Sequence, residues 1–482
     1  MRSESRLILV SNREPYEHRW LNGRIECQRT DGGLITALDP IMREFGGTWV
    51  AWGSGAADPD AVAQADGLAV SIGSPSYRLR RVWLTPREVW GGGQGYANQV
   101  LWPLCHVTLD RVAYLKDHWE SYVDMNRRFA QTVLDELYMQ PGLVWIHDYH
   151  LALLPELIKA GAPDADVCLF WHVPWPGSDI FKILPERVEI LTALLAADCL
   201  TFQTARCADA FAECAEQIVG AQRSAAHDFI AFRGHRTRLT ARSISVDFQS
   251  LSDLARSPEV EALMTCERQR LGLSPGMCMG LGVDRLDYTK GLLKRLWALD
   301  CFLARYPDHR GKFTFVQVAV PTRHEVAVYR RYRETIREAV AMVNARHCKG
   351  GWHPIEYLEG RVEPSTLAAY YRMADFALVS SVFDGMNLVA KEFIASQVDE
   401  TGVLLISHMA GAAEELSDAL IINPYDQEGL AEAMHQALEM PMGERQRRMR
   451  RLRSHVEMHD IKAWAEGCLA DSGFSRLVAR GA

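Results

Sequence analysis

Two polar segments in the second half of the chain carry the residue types that a phosphorylated sugar ligand requires. The first segment contains Arg285 and Lys290, and it follows the apolar run of residues 277–283. The second contains Asp384 and Glu392, around a predicted helix start. Fixed cations at the end of a strand bind phosphate groups, and carboxylates can accept hydrogen bonds from sugar or ribose hydroxyls. Together the two segments predict a binding site for a nucleotide sugar.

The cationic segment is suited to a leaving group that gains negative charge. Arg285 and Lys290 lie in a loop that ends at Gly291. Preorganised cations stabilise the charge that develops on a diphosphate as a glycosyl bond breaks. The alternative is a pair of surface cations neutralised by Asp284 and Asp287, and the presence of the second segment argues against it.

The second segment has the composition of a capped helix start. Gly385 permits a tight turn, and either Asn387 or Asp384 can cap the helix that follows. The free N–H groups at the amino end of such a helix can bind a phosphate. Asp384 is placed to contact sugar hydroxyls, and Glu392 to contact ribose hydroxyls. The alternative is an ordinary capped helix with an exposed glutamate.

Glycine turns elsewhere give weaker signals. Gly32 and Gly33 precede a helical pattern at residues 35–45, where backbone amides could approach a phosphate. The glycine-rich run of residues 91–95 is interpreted as a flexible loop. No G-x-G-x-x-G follows the first predicted strand, which argues against a nicotinamide dehydrogenase. No Walker sequence is present either.

The histidine-rich segment of residues 147–150 admits a metal site as an alternative. Consecutive side chains at the end of a strand point to opposite faces, so a polar site edge is the preferred interpretation, with Asp148 accepting from a substrate hydroxyl. His172 precedes a proline-rich turn at residues 173–176 that would fix its backbone. Both its carbonyl and its imidazole are therefore candidates.

Apolar segments that alternate with helical patterns predict the elements behind these residues. Their lack of polar alternation is typical of strands buried on both faces of a parallel sheet. The predicted strands are residues 7–11, 144–147, 167–172, 200–203, 277–284, 313–320, 376–380, 403–407 and 420–423. Alternation of strands and helices predicts doubly wound α/β domains. Ligands of such sheets bind beyond the carboxyl ends of the strands, so the polar residues there are expected to share one cleft.

Length and composition set the organisation and the class. A chain of 482 residues is too long for one core, so we predict two domains, residues 1–247 and 248–457, with a C-terminal helix in residues 458–482 that returns to the first. A net charge of -8 gives no reason to expect nucleic acid as a partner. No apolar run is long enough to cross a bilayer, and 11 cysteines without C-x-x-C spacing fit a reducing cytoplasm.

The motifs together resemble the trehalose-6-phosphate synthase family of retaining glucosyltransferases. The resemblance is carried by seven short segments, and it covers nearly the whole chain. The segments are residues 9–13, 100–103, 145–150, 285–291, 384–392, 410–416 and 423–426. It implies two facing Rossmann-like domains, the arrangement called GT-B, with no metal required for the chemistry. It also implies a cytoplasmic enzyme that transfers glucose from a nucleoside diphosphate, with UDP-glucose as the first choice and GDP- or ADP-glucose left open.

The resemblance assigns roles to matching positions. The donor residues are Gly32, Gly33, Arg285, Lys290, Gly385, Met386, Asn387, Leu388, Val389 and Glu392. The acceptor residues are Arg13, Trp52, Trp102, Asp148 and Arg323. Asp384 would hold the transferred glucose, and the His172 carbonyl would lie near the sugar in the transition state, so that the catalytic set is Asp148, His172, Arg285, Lys290 and Asp384.

One departure concerns the acceptor. Family members usually place a tyrosine nine residues before the tryptophan of Leu-Trp-Pro, where it contacts the acceptor phosphate; here that residue is Gly93, and Tyr96 is a candidate substitute. The opening at residues 13–16 is similar to that of glucosylglycerol-phosphate synthases, relatives that use glycerol 3-phosphate.

We therefore expect glucose 6-phosphate as the acceptor, to give trehalose 6-phosphate, with glycerol 3-phosphate or another polyol phosphate as the alternative. A homologue that binds ligands without turnover is the third hypothesis. Homo-oligomer formation stays open.

Overall fold

The computed structural model describes residues 6–30, 33–73, 76–323 and 325–474. Contacts divide the chain into two compact units, which we call unit 1 (Met1–Ser243 with Lys462–Ala482) and unit 2 (Ile244–Ile461). The predicted boundaries lie at residues 247 and 457, close to these divisions. No helix within the described ranges is both long and apolar enough to span a membrane.

Unit 1 is built on a large, mostly parallel sheet. Its strands are β1 (Arg6–Arg13), β2 (Tyr16–Leu21), β3 (Arg24–Arg29), β4 (Thr48–Trp52), β5 (Ala69–Ile72), β6 (Tyr77–Val82), β7 (Gly142–His147), β8 (Val167–Trp171), β9 (Cys199–Phe202), β10 (Gln222–Arg223), β11 (Phe229–Phe232) and β12 (His235–Ala241). The sheet order is β10-β11-β12-β9-β8-β7-β1-β4-β6-β5, and β2 and β3 form a separate antiparallel hairpin. The parallel centre, β9-β8-β7-β1-β4-β6, has the strand order of a dinucleotide-binding fold.

The helices of unit 1 connect these strands. They are α1 (Gly33–Phe45), α2 (Asp58–Gln64), α3 (Trp102–Cys105), α4 (Lys116–Met139), α5 (Leu154–Gly161), α6 (Ser178–Phe181), α7 (Arg187–Leu194) and α8 (Ala205–Val219), with a π-helix at Glu88–Leu101 and 3-10 turns at Leu109–Arg111 and Tyr149–Leu151. The central strands β1, β7 and β8 are almost completely buried, which explains their uninterrupted apolar sequences.

Unit 2 repeats the same plan with a six-stranded, fully parallel sheet. Its strands are β13 (Cys278–Arg285), β14 (Phe313–Val320), β15 (Ile355–Glu359), β16 (Phe376–Val379), β17 (Val403–Ser407) and β18 (Leu420–Ile422). The order β15-β14-β13-β16-β17-β18 is again that of a dinucleotide-binding fold, and it reverses between β13 and β16.

The helices of unit 2 cover both faces of this sheet, as a doubly wound fold requires. They are α9 (Phe248–Arg256), α10 (Pro258–Arg270), α11 (Leu292–Arg305), α12 (Ala327–His347), α13 (Pro364–Met373), α14 (Leu388–Ser396), α15 (Gln427–Glu439) and α16 (Met442–Met458), with 3-10 turns at Tyr288–Lys290, Pro307–His309 and Gly411–Glu414. Buried side chains from α11, α12, α15 and the strands form one continuous core.

The last described helix, α17 (Ile461–Asp471), contributes to the core of unit 1. The ring of Trp464 packs against Trp145 at 5.5 Å and against Phe170 at 5.1 Å between centroids. Arg242 also forms an ion pair with Asp471 at 2.8 Å. Helix α17 is thereby attached to the strands of unit 1.

The prediction of a flexible loop at residues 91–95 is wrong. These glycines lie inside the π-helix Glu88–Leu101, which packs closely on α4. A Cβ atom on Gly91 would lie 2.5 Å from the Ser121 hydroxyl, and one on Gly95 would lie 2.5 Å from the His118 ring. Gly91 and Gly95 are required because two helices approach closely there, and a glycine run in sequence does not distinguish close packing from mobility.

Candidate functional site

The topology of unit 2 brings its two predicted segments together. Lys290 follows β13 and Asp384 follows β16, and these adjacent strands lie where the strand order reverses. Ligands of doubly wound sheets bind at this switch point, outside the carboxyl ends of the strands. The structure thus places the cationic and the carboxylate segments side by side.

A buried charge pair forms the centre of this cluster. Lys290 Nζ donates to Asp384 Oδ2 at 2.5 Å, and both side chains are about nine-tenths buried. The same oxygen accepts from the Ser381 hydroxyl at 3.0 Å and from the Asn387 amide at 3.1 Å. Three donors on one carboxylate oxygen hold the Asp384 side chain in a single orientation.

Gly291 sets the position of Lys290. It has a left-handed backbone (φ 68°), and a Cβ atom there would lie 2.1 Å from the Ser380 carbonyl oxygen. The Ser380 hydroxyl is itself held, because Arg295 Nε donates to it at 3.0 Å. Only glycine combines this conformation with such a close approach to a neighbouring backbone.

The carboxylates next to the cations accept hydrogen bonds from groups of unit 2. Asp284 accepts from Arg295 at 2.6 Å, and burial raises the pKa of Asp284 although the guanidinium opposes this effect. Asp287 accepts from both the amide and the hydroxyl of Thr289 at 3.0 Å, which closes the turn before Lys290. Because it is paired with the buried Arg295, Asp284 stabilises the interior of unit 2. Arg285 is exposed at the end of β13.

The amino end of α14 faces the same switch point. Asn387 adopts φ 101° and caps the helix, its side chain accepting from the Ala390 amide at 3.1 Å. The amides of Leu388 and Val389 lie in the first turn, where backbone N–H groups lack partners within the helix. The preceding segment is buried and fixed, because the Ala412 amide donates to the Met386 carbonyl at 3.0 Å.

The adjoining turn also binds to Asp384 itself. The Gly411 amide donates to the Asp384 carbonyl at 3.1 Å, and the Asp384 amide donates to the Met409 carbonyl at 3.1 Å. The segment that contains Gly385 is thus hydrogen-bonded to the loop after β17 on both sides of the carboxylate.

Glu392 lies on α14 as a half-buried side chain. The Tyr371 hydroxyl donates to Glu392 Oε2 at 2.8 Å. Burial raises the pKa of Glu392, and the tyrosine hydrogen bond partly offsets that shift. The neighbouring Lys391 has a structural role, since its ammonium is buried against Glu415 at 2.6 Å and the Ile244 carbonyl at 2.8 Å.

Arg323, predicted as an acceptor residue, belongs to unit 2, whereas the other predicted acceptor residues belong to unit 1. Its backbone is left-handed (φ 49°), and its guanidinium lies 3.7 Å from Asp287 and donates to the Tyr329 hydroxyl. A positive φ at a non-glycine residue carries strain and is frequent at functional sites. Arg323 therefore adjoins the turn that carries Lys290.

In unit 1 the predicted acceptor residues also gather at a switch point. Arg13 ends β1 and Asp148 follows β7, and the strand order reverses between these two strands. Trp52 is the register partner of Arg13 across β1 and β4, after an irregularity at Ser11. Parallel pairing thus brings together residues that are far apart in the sequence.

Asp148 and His172 are adjacent. The His172 amide donates to Asp148 Oδ1 at 3.3 Å, and the Asp148 amide donates to the Phe170 carbonyl at 2.8 Å. Asp148 has φ 77°, an unfavourable conformation for a residue with a side chain. The strained turn directs its carboxylate toward the backbone of the next strand.

The His172 ring belongs to a short hydrogen-bonded chain. The Gln203 amide lies 3.3 Å from Nδ1, and His147 Nδ1 lies 3.0 Å from His172 Nε2. If the Gln203 nitrogen donates, His172 carries its proton on Nε2 and donates to His147. Burial lowers the pKa of His172 to about 3 and lowers that of His147 as well. Both rings are therefore neutral at pH 7.

A buried charged network behind Arg13 was not predicted from the sequence. Arg81 Nε donates to Glu14 at 2.8 Å, and its guanidinium lies 2.9 Å from Asp58. His18 Nδ1 lies 3.1 Å from the same Asp58 oxygen. This network fixes the turn from β1 into β2 that presents Arg13. Adjacent Arg and Glu residues in the opening motif were the available hint, and nothing indicated Arg81.

The glycine and tryptophan positions have distinct surroundings. A Cβ atom on Gly93 would meet no heavy atom within 4 Å. The candidate substitute Tyr96 is fully buried and donates to Glu186 at 2.9 Å, so it is engaged in the interior of unit 1. Trp102 is buried at the start of α3, with its ring 4.0 Å from that of His106. Gly33 begins α1, and Gly32 lies outside the described residues.

Two α/β units, each with a mainly parallel sheet and polar side chains at its switch point, agree with the predicted GT-B class of glycosyltransferases. The chain belongs to glycosyltransferase family 20, whose family model matches residues 5–472. The predicted family, the predicted α/β fold class and the prediction of a glycosyltransferase enzyme are confirmed.

Relatives match nearly the whole chain. A trehalose-6-phosphate synthase of Mycobacterium marinum is 36% identical over 480 residues, 97% of this chain and 94% of that protein. A Dictyostelium discoideum alpha,alpha-trehalose-phosphate synthase described as UDP-forming is 34% identical over 96% of this chain, which spans 62% of that protein's length.

Solved structures share the fold. An E. coli structure described as trehalose-6-phosphate bound with UDP-2-fluoro glucose has a TM-score of 0.87 and 29% identity, with 97% of this chain and 99% of that one covered. A UDP-forming alpha,alpha-trehalose-phosphate synthase from Burkholderia xenovorans in complex with glucose-6-phosphate has a TM-score of 0.85 and 31% identity, covering 97% and 100% of the two chains.

Proposed function

We propose that the chain is a retaining, UDP-forming alpha,alpha-trehalose-phosphate synthase that transfers glucose from UDP-glucose to glucose 6-phosphate. The observation that carries the proposal is the buried Lys290–Asp384 pair at the switch point of unit 2, beside the amino end of α14. Names and bound ligands of full-length relatives support the substrates. The comparisons do not favour glycerol 3-phosphate as the acceptor.

Unit 2 would bind the donor. Lys290 and Arg285 would contact the diphosphate, and the first-turn amides of α14 at Leu388 and Val389 would add hydrogen bonds to the nucleotide sugar. Glu392, held by Tyr371 at 2.8 Å, would accept from the ribose hydroxyls. Fixed cations can stabilise the charge on the leaving diphosphate, so we propose that the transfer itself requires no metal ion.

Unit 1 would bind the acceptor. Arg13 is exposed at the end of β1 and would contact the acceptor phosphate, with Trp52 as its neighbour in register. Asp148 would accept from an acceptor hydroxyl, and the neutral His172 would offer its carbonyl to the sugar.

In the proposed reaction, the bond between the anomeric carbon and the UDP oxygen breaks with its electron pair leaving on UDP. The bond to the acceptor oxygen forms on the same face, and the leaving phosphate takes the acceptor proton. We also expect a cytoplasmic location.

The test is UDP release with defined acceptors. UDP-, GDP- and ADP-glucose would each be offered with glucose 6-phosphate, glycerol 3-phosphate, glucose or water alone. We expect release that requires both UDP-glucose and glucose 6-phosphate, with trehalose 6-phosphate as the product. Release that depends on glycerol 3-phosphate alone would contradict the proposed acceptor, and slow donor hydrolysis unaffected by any acceptor would contradict synthase activity.

The role of the charge pair is tested with Lys290→Met. We expect turnover to fall about 10²–10³-fold, as for loss of one charge-stabilising donor. Lys294→Met is the matched control, because Lys294 is a partly buried lysine of unit 2 whose ammonium lies over the Tyr425 ring at 3.8 Å. Equal turnover in both variants would remove Lys290 from the donor site.

A further inference from the structure

A cluster of potential metal ligands lies in unit 2 apart from the residues assigned to sugar transfer. It consists of His309, His435 and Glu439, whose ligand atoms all lie within 4.8 Å of one another. We call it the His-His-Glu cluster. The two histidines are half-buried and the glutamate is exposed. None of the three residues belongs to the switch point of the sheet.

Secondary structure brings these three side chains together. His435 and Glu439 are four residues apart near the end of α15 and therefore share one face of that helix. His309 ends the 3-10 turn Pro307–His309, which follows α11, the helix that packs on α15. The cluster thus links two chain segments that are far apart in the sequence.

Neighbouring rings fix the orientation of both imidazoles. The His435 ring stacks on Tyr306 at 4.1 Å with an interplanar angle of 12°. The His309 ring stacks on Phe302 at 5.0 Å with an angle of 27°. Ligand side chains that are held by packing lose little freedom when they bind an ion.

We propose that the His-His-Glu cluster is a Zn²⁺ site that connects the turn at His309 to α15. Two histidines and one glutamate are an established ligand set for this ion, with a water molecule in the fourth position. His309 Nε2 and His435 Nδ1 lie 3.1 Å apart. Tetrahedral ligands at the usual Zn–N distance are separated by about 3.3 Å, so the two nitrogens already have nearly the required spacing. The exposed Glu439 can complete the site by a change of rotamer.

Protonation of the two rings is compatible with binding. In the free protein one N–H lies between the facing nitrogens, and on binding that proton moves to the other nitrogen of the same ring. The competing interpretation is a simple hydrogen bond between the two histidines.

Direct metal titration separates these interpretations. The full-length chain, without an affinity tag, would be titrated with Zn²⁺ by calorimetry and with Co²⁺ by visible absorption, because Zn²⁺ itself has no d–d spectrum. We expect saturable binding of one ion per chain, tetrahedral Co²⁺ bands that Zn²⁺ removes, and a rise in Tm of about 2–4 °C with excess Zn²⁺.

Three conservative variants and one control assign the site. His309→Asn, His435→Gln and Glu439→Gln should each weaken Zn²⁺ binding at least about tenfold. The control is His459→Gln, which removes a histidine from a second close imidazole pair in unit 2, that of His455 and His459. Folding of each variant is checked by its Tm in chelator.

Loss of binding in the control alone, unchanged binding in the three variants, or no saturable binding to the unaltered chain would each overturn the proposal. Because these readouts do not depend on sugar transfer, they stay informative whatever the outcome of the UDP-release assay.

Discussion

Replacement of Gly291 by alanine tests whether close packing behind Lys290 sets the donor site. The added Cβ would lie 2.1 Å from the Ser380 carbonyl oxygen, and real Cβ atoms essentially never approach within 3.0 Å. The left-handed backbone alone costs alanine about 1–2 kcal/mol, and relief of the overlap adds about 1–3 kcal/mol. We therefore expect a loss of about 2–5 kcal/mol from the free energy of unfolding, or about 4–20 °C in Tm.

Activity should fall by more than stability explains. Relief of the overlap moves the turn that carries Lys290 by about 1 Å, a displacement that can lower turnover about 10²-fold. Gly272→Ala is the matched control in unit 2, since Gly272 has φ 63° and open space around a Cβ. The control should lose about 2–8 °C in Tm and keep its kcat/KM.

Both variants would be compared by thermal unfolding and by UDP release at a temperature where each is folded. If Gly291→Ala matched Gly272→Ala in Tm and in kcat/KM, the reasoning from the Ser380 contact would be refuted.

Two further predictions concern unit 1. Gly93→Tyr adds a phenol where a Cβ meets no heavy atom within 4 Å; we expect the KM for glucose 6-phosphate to fall about tenfold, and an unchanged KM in a variant with normal Tm would contradict this. His172 has a pKa near 6.5 when unfolded and about 3 when folded, so the unfolded chain binds the additional proton and stability falls as pH drops below 6.5, by at most about 1.4 kcal/mol per pH unit. Tm measured between pH 7 and 5 should decline less steeply in His172→Gln, and parallel curves would exclude His172 as the source.

Most central strands could be predicted because burial on both faces leaves a continuous apolar sequence. The structure has a strand at each of the nine predicted places, and β14 and β17 have the predicted bounds. The edge strands were missed, and so was β4, a short buried strand beside β1. β6 alternates buried with partly exposed residues and contains arginines, and β15 is only partly buried after its first residue and contains glutamates, so both sequences lack that apolar signal.

The candidate site was predictable where a motif places a charged residue in the loop that follows a central strand. Lys290 lies in the loop after β13 and Asp384 in the loop after β16, and these adjacent strands bring their side chains within 2.5 Å. Partners supplied by distant segments were not predictable. Tyr371 and Arg81 carry no local motif, and only the folded chain brings them to Glu392 and Glu14.

The two half-sites differ in how much change their surroundings allow. In unit 2, Lys290 and Asp384 are held by a glycine with no room for a side chain and by donors that converge on one oxygen. A side chain added at Gly291 must displace the backbone at Ser380. In unit 1, Arg13 is exposed and position 93 has open space. Side chains can be exchanged at such positions at little cost in stability. It follows that a change of acceptor is structurally easier than a change of donor, and that position 93 is the place to attempt it.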